Sequence, residues 1–468
     1  MPQSLSKGIA IIFLANVLNL FFSLATNFLL PRYLPVESYA AIKTYQLYAG
    51  YIGLLHLGFI DGMYLFNGGK RIGDISRTEI KEELSTLFSF QLMITLIIIL
   101  LSFCINNKIL LFASMSILPV NMLTYFRYLY QSTGEYRLYG RIMNYLTIFT
   151  CVINLFFLLI IKETSFFPYI ISYVILNYLL FIAISCYMSK KFHEKLIKIK
   201  FSYFYFKRDI NAGYTLTLGN IAFSLLVCMG QWFVSFFLSV SDFAYYSFSV
   251  TIVNFINIAV TPISITLYNF FCLKEIDDNK ISNLRNLIVI FSCFLMILAF
   301  CAQIIIKFFI PNYTDSIRTM FILFASQIFA IINTSVFVNL YKARKQQSKY
   351  MKKLLFTLLI SIIINIIFTF IHNTKESYAI GTLLFTVIWC LFSCDDFKTL
   401  FIKKKEFIYI TLCLFVFFYS GFALQPWYGL LLYLLVFTFL TYIFFNQLIL
   451  HFLTQIKNKY DSSRNCII

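Results

Sequence analysis

An all-α polytopic membrane protein is the fold class this sequence predicts, and three observations lead there. Hydrophobic residues fill 60% of the 468 positions and charged residues 12%, against roughly half and a quarter in soluble domains. The apolar residues come in separate blocks of about 20, the length a helix needs to cross the hydrocarbon layer. The cations fall in alternate gaps between those blocks, the pattern that fixes membrane orientation.

The blocks run in order as Gly8–Leu30, Tyr39–Phe66, Leu84–Cys104, Ile109–Gln131, Ile142–Ile161 and Phe166–Met188. A basic stretch, Lys190–Arg208, separates them from a second series: Ala212–Phe237, Phe243–Cys272, Leu284–Ile310, Ile317–Tyr341, Leu354–Ile371 and Tyr378–Cys394. Phe407–Leu424 and Tyr428–Leu450 follow. The length rule gives about 14 spans, or 12 if the last pair is interfacial. The expected organisation is a six-helix lobe over 1–188, a basic linker over 189–211, a second six-helix lobe over 212–394, and a helix pair with its tail over 395–468. The first block is too long for a signal-peptide core and is expected to be a mature span.

The formal charge is +18. One set of alternate gaps holds 30 cations and the other 6, so the first set, with both termini, is expected in the cytoplasm. The same charge is suited to anionic lipid, and no nucleic-acid motif accompanies it. External gaps such as Ser239–Asp242 are a few residues long, so any chemistry must take place among the helices.

The halves share a pattern. Leu34-Pro35-Val36-Glu37-Ser38-Tyr39-Ala40 and Leu238-Ser239-Val240-Ser241-Asp242-Phe243-Ala244 each join the first two spans of a half. That register pairs Asn16 with Asn220, Asn27 with Gln231, Gly50 with Asn254 and Gly53 with Asn257, a parallel repeat. Polar residues then line up at helical spacing. Asn16, Asn19, Ser23 and Asn27 share a face of the first span; Thr217, Asn220, Ser224 and Gln231 do so in the seventh. The second span aligns Lys43, Gln46, Gly50 and Asp61, with Lys43 and Asp61 about 27 Å apart on a straight helix. The eighth aligns Asn254, Asn257, Thr261 and Ser264. Such stripes avoid lipid and face either neighbouring helices or a hydrated cleft.

Charges inside spans carry more weight. Lys43 lies in the outer part of the second span, Asp61 near its inner end and Arg127 near the inner end of the fourth. These three, with Asn16, Asn27, Gln46, Asn220, Gln231, Asn254 and Asn257, are the candidate substrate-cavity residues. Arg32, Asp242 and Arg318 sit at outer helix ends and are assigned to an outer mouth, with snorkelling to the interface as the alternative. Pro119 and Pro262 interrupt the fourth and eighth spans and are candidate hinges or tolerated kinks.

No phosphate-cradling loop, nucleophile elbow or metal-ligand spacing is present. No catalytic residue, metal or cofactor is expected, nor are paired carboxylates in an enclosed segment.

Ser4-x-x-Lys-Gly8 leading into the first span, Leu30-Pro-Arg-Tyr-Leu-Pro-Val-Glu-Ser-Tyr-Ala40, Gly58-Phe-Ile-Asp-Gly62, Thr261-Pro262 and the basic run Lys342–Lys353 together resemble the polysaccharide transporter family. That family includes the Wzx-type O-antigen flippases of the multidrug/oligosaccharidyl-lipid/polysaccharide superfamily. The resemblance implies two six-helix lobes around a central cavity in a bacterial inner membrane. The cavity would carry undecaprenyl-pyrophosphate-linked oligosaccharide from the cytoplasmic to the periplasmic leaflet, with Lys43 and Arg127 meeting its anionic groups. Implied partners are that lipid-linked substrate, membrane lipids, a polysaccharide polymerase and a chain-length regulator. Two rival readings are an integral-membrane polymerase, which needs larger external loops, and a cation or drug exporter, which needs acids in its cavity.

Overall fold

A computed structural model describes residues 22–272, 278–397, 400 and 403–465. The chain is an all-α polytopic membrane protein, and no strand occurs among the described residues. It divides into two compact units, Met1–Cys228 and Met229–Ile468.

The first unit holds α1 (residues 22–33), α2 (Val36–Ile52), α3 (Phe59–Asn67), α4 (Arg77–Cys104), α5 (Lys108–Ser132), α6 (Tyr136–Leu155), α7 (Phe167–Phe192) and most of α8 (Tyr203–Phe237). Capping side chains set the starts. Ser76 accepts from the Glu79 amide at the head of α4, and Asn107 accepts from the Leu110 amide at the head of α5. Helix α5 is the centre of this unit, with 67% of its apolar window buried. Its Met122, Tyr125, Phe126 and Leu129 pack against Phe59, Ile60 and Met63 of α3 and Leu84 and Leu87 of α4. The outer helices α6 and α7 bury 17% and 33% of theirs, which leaves large apolar faces for lipid.

The second unit holds α9 (Val240–Val253), α10 (Ile256–Phe271), α11 (Asp278–Leu295), α12 (Ile297–Phe309), α13 (Ile317–Ile332), α14 (Val338–Ala343), α15 (Gln347–Ile371), α16 (Lys375–Asp396), α17 (Lys404–Ala423) and α18 (Pro426–Asn465). Here the central span is Pro311–Ala343, 78% buried, which includes α13. It holds in its half the place that α5 holds in the first. Val36 and Val240 open the corresponding helices α2 and α9, at the register read from the sequence. An aromatic cluster of Phe300, Phe321, Phe417 and Tyr433 docks the C-terminal pair, and the Tyr433 hydroxyl donates to the Cys293 carbonyl at 2.7 Å.

Eleven helices among the described residues are long and apolar enough to cross a membrane, or 12 with one bent pair. The C-terminal pair is among them, as Lys404–Ala423 and Pro426–Leu448. Most of the first expected span lies outside the described residues.

Two expectations about helix continuity are corrected. The second span is not one straight helix: α2 stops at Ile52, and α3 begins at Phe59 after a turn with Leu57 and Gly58 at positive φ. Its polar residues therefore do not share one face from Lys43 to Asp61. The cause is close approach. A Cβ on Gly58 would sit 2.6 Å from the Tyr214 nitrogen, one on Gly62 1.9 Å from the Asp209 carbonyl oxygen, and one on Gly213 2.0 Å from the Gly58 carbonyl oxygen. Small residues let the α3 and α8 backbones touch. The eighth span also breaks, by 43° between α9 and α10, at Asn254 and Phe255 rather than at Pro262. Pro262 lies inside α10, and α5 runs unbroken through Pro119.

Candidate functional site

The first unit encloses a cavity of about 450 Å³ between α1, α2, α6 and α7. Ser23, Thr26 and Asn27 come from α1, Tyr45 and Gln46 from α2, Thr147, Thr150 and Asn154 from α6, and Tyr169 and Tyr173 from α7. Lys43 stands against its wall. The ammonium donates to Gln46 Oε1 at 2.9 Å and Asn27 Oδ1 at 3.3 Å, and lies 5.3 Å from the centre of the Tyr39 ring. Asn27 in turn donates to the Ser23 hydroxyl at 3.0 Å. The sequence-derived candidates Lys43, Asn27 and Gln46 are thus brought together.

The electrostatics are unusual. Lys43 is only 7% exposed, and removing an ammonium from water costs several kcal/mol. Its partners among the described residues are two neutral amide oxygens and an aromatic face, which repay part of that through hydrogen bonds and cation–π attraction. No carboxylate lines the cavity among the described residues. Lys43 is thus a base held just behind the lining by Asn27 and Gln46, which themselves face the cavity.

Tyr45 closes the far side. Its hydroxyl shares a 2.7 Å hydrogen bond with Ser116 of α5, and its ring meets Tyr173 edge to face at 6.0 Å. Thr147, Thr150 and Asn154 escaped the sequence reading. Their spacing puts them on one face of α6, a polar stripe that could have been found by the same rule that found Ser23 and Asn27.

Other candidates lie elsewhere. Asn16 is outside the described residues. Asp61 is buried in the first turn of α3, accepts from the Thr217 hydroxyl of α8, and does not line the cavity. Arg127 is half-buried; it donates to Thr124 at 2.9 Å, and its Nε is buried with no hydrogen-bond partner among the described residues. Asn220 is exposed on α8, while its stripe partner Thr217 is buried, so that face does not act as one strip. Gln231 donates to Ser247 at 3.3 Å. Asn254 and Asn257 are exposed at the α9–α10 break and lie 3.5 Å apart. At helix ends, Arg32 lies beside the Tyr33 ring, Arg318 is exposed, and Asp242 pairs with Lys375 at 3.0 Å.

Paired carboxylates do occur in an enclosed place, contrary to the sequence reading. Arg208 bridges Glu79 (2.8 Å), Asp209 (2.8 Å) and Glu83, and Tyr125 donates to Glu83 at 2.6 Å. Glu83 and Asp209 are fully buried. Arg285, at the start of the expected span Leu284–Ile310, is also fully buried, 2.5 Å from Glu406.

No protein-family model matches the sequence, and no curated protein matches it. Solved structures do. The lipid II flippase MurJ, in an inward closed conformation, superposes with a TM-score of 0.70 at 17% identity, over 95% of this chain and 99% of that one. The chain has the MurJ-type fold. An inward-facing multidrug resistance MATE family transporter of the MOP superfamily also matches, with a TM-score of 0.54 at 14% identity over 81% of this chain and 95% of that one. That likeness extends over residues of both units.

Proposed function

We propose that this protein is a flippase for lipid-linked oligosaccharides, working by alternating access in a bacterial inner membrane with both termini cytoplasmic. The observation that carries the reading is Lys43, a buried base whose partners among the described residues are neutral, beside a polar cavity in a fold shared with a lipid II flippase. A lipid pyrophosphate supplies the anion this cation lacks. The cavity, about 450 Å³, is in the range of small-molecule sites and accepts a headgroup-sized portion of such a substrate. The amide and hydroxyl lining suits sugar hydroxyls, which need donors and acceptors in equal measure. Arg127 and the exposed amides Asn220, Asn254 and Asn257 are assigned to the remaining transport path. O-antigen or a related surface polysaccharide unit is the substrate proposed, handed on to a polymerase and its chain-length regulator.

Cation or drug export, the reading a MATE likeness suggests, fits less well, because a base stands behind the lining and no acid lines the cavity among the described residues. The deciding experiment reconstitutes the protein in liposomes with a fluorescent undecaprenyl-pyrophosphoryl oligosaccharide and measures its accessibility to an outside lectin. Protein-dependent translocation supports the flippase. Failure there, with efflux of a cationic dye, overturns it.

A further inference from the structure

The second unit has an apolar groove unrelated to the Lys43 cavity. Two helices build it with the same spacing. Val387, Cys390 and Leu391 are i, i+3 and i+4 on α16, and Lys404, Phe407 and Ile408 are i, i+3 and i+4 on α17. Phe329 of α13, on which both helices pack, forms the floor. The groove holds about 530 Å³, and among the described residues its one charged lining residue is Lys404. The opposite face of α17 is occupied, since Glu406 turns inward to Arg285. That pair fixes which face of the helix is left open.

We propose that this groove binds one anionic phospholipid, with an acyl chain along Val387, Leu391, Phe407 and Ile408 and its phosphate at Lys404. Water gains little in an apolar slot, and in a bilayer a hydrocarbon chain is the filler at hand. The head end is selective for negative charge. Lys403, Lys404 and Lys405 are consecutive and exposed, and they stand at the N-terminus of α17, whose dipole adds to them. Lys404 makes no ion pair among the described residues. The nearest acid in sequence, Glu406, is 2.5 Å from Arg285, and the next, Asp396 and Asp395, each stand 3.7 Å from Lys353, so all three have other cations beside them. A basic mouth over an apolar cleft between helices is the arrangement expected for an acidic lipid headgroup.

The test is native mass spectrometry of the full chain, purified in mild detergent and offered equal amounts of phosphatidylglycerol, phosphatidylcholine and a polyprenyl phosphate. One phosphatidylglycerol per chain is expected, retained about fivefold over phosphatidylcholine, with Lys404→Ala lowering that preference about fivefold. Val387→Trp, which fills the groove, should abolish retention; Leu391→Trp, at the exposed rim, repeats the test if the first variant melts early. Equal retention of the two phospholipids, retention unchanged in both tryptophan variants, or displacement by the polyprenyl phosphate overturns the proposal. The outcome does not depend on whether the protein flips oligosaccharides.

Discussion

Gln231 donates to Ser247 at 3.3 Å, and in the repeat register these are the positions held in the first half by Asn27 and Lys43, themselves 3.3 Å apart. The same two helix positions meet in both units, but only the N-terminal unit places a charge there. The internal repeat is therefore visible at the level of one side-chain contact, and its asymmetry marks where function departs from architecture.

That asymmetry yields a prediction that separates function from stability. Lys43→Met removes a buried charge whose partners are neutral, a change that is usually neutral or stabilising for the fold. Transport should nonetheless fall about tenfold or more, the loss expected for a charge-assisted contact to phosphate. Liposome translocation and a melting curve on the same preparation check both halves. Normal transport by Lys43→Met removes the cavity assignment.

Glycine substitutions should divide sharply by position. Gly62→Ala and Gly213→Ala each drive a methyl into backbone atoms of the facing helix, at 1.9 and 2.0 Å. Neither backbone can yield without separating α3 from α8, so losses of about 1–3 kcal/mol or more are expected. Gly50→Ala meets nothing within 4 Å and should be harmless or stabilise α2 by up to ~1 kcal/mol. Thermal unfolding of the three variants in detergent is the measurement.

The sequence revealed the membrane spans and the α1–α2 polar cluster for a physical reason: both depend on spacing along one helix. Ser23 and Asn27, or Lys43 and Gln46, need only helical periodicity to be placed together. The break at Gly53–Gly58 was hidden because it depends on Gly213, more than a hundred residues away, pressing on Gly58 and Gly62. Arg285, at a span end, gave no sign of burial because its partner, Glu406, is also more than a hundred residues away. Charges near span ends read as topology signals until a partner is known, and partners from other helices cannot be seen in hydropathy.

Arg285 and Glu406 should behave as a buried pair. Arg285 also donates to the Leu400 carbonyl and, at 2.9 Å, to Asn286, so it ties the entry of α17 to α11. Removing one partner leaves an uncompensated buried charge, which costs about 3–5 kcal/mol. Arg285→Met alone and Glu406→Leu alone should each lower the melting temperature strongly. The double replacement should recover most of the loss. A double variant as unstable as the singles would mean that packing, not charge, holds the joint.

The contacts of the basic linker should not contribute equally. Lys200 pairs with Glu82 at 2.6 Å, but its side chain is 60% exposed, and such a surface pair is worth at most about 1 kcal/mol. Arg208 instead serves three carboxylates, two of them fully buried, and its guanidinium lies 4.7 Å from the Phe66 ring and 4.9 Å from the Tyr205 ring. Arg208→Ala strands Glu83 and Asp209 away from water, so a loss of about 3 kcal/mol or more is expected, against little change for Lys200→Ala. Adding Glu83→Gln to Arg208→Ala should restore part of the stability, because one stranded charge is removed while Tyr125 keeps an oxygen to donate to. Unfolding curves for the four proteins at low and high salt decide it. The Lys200 effect should vanish with salt and the Arg208 effect should persist, since buried pairs are poorly screened.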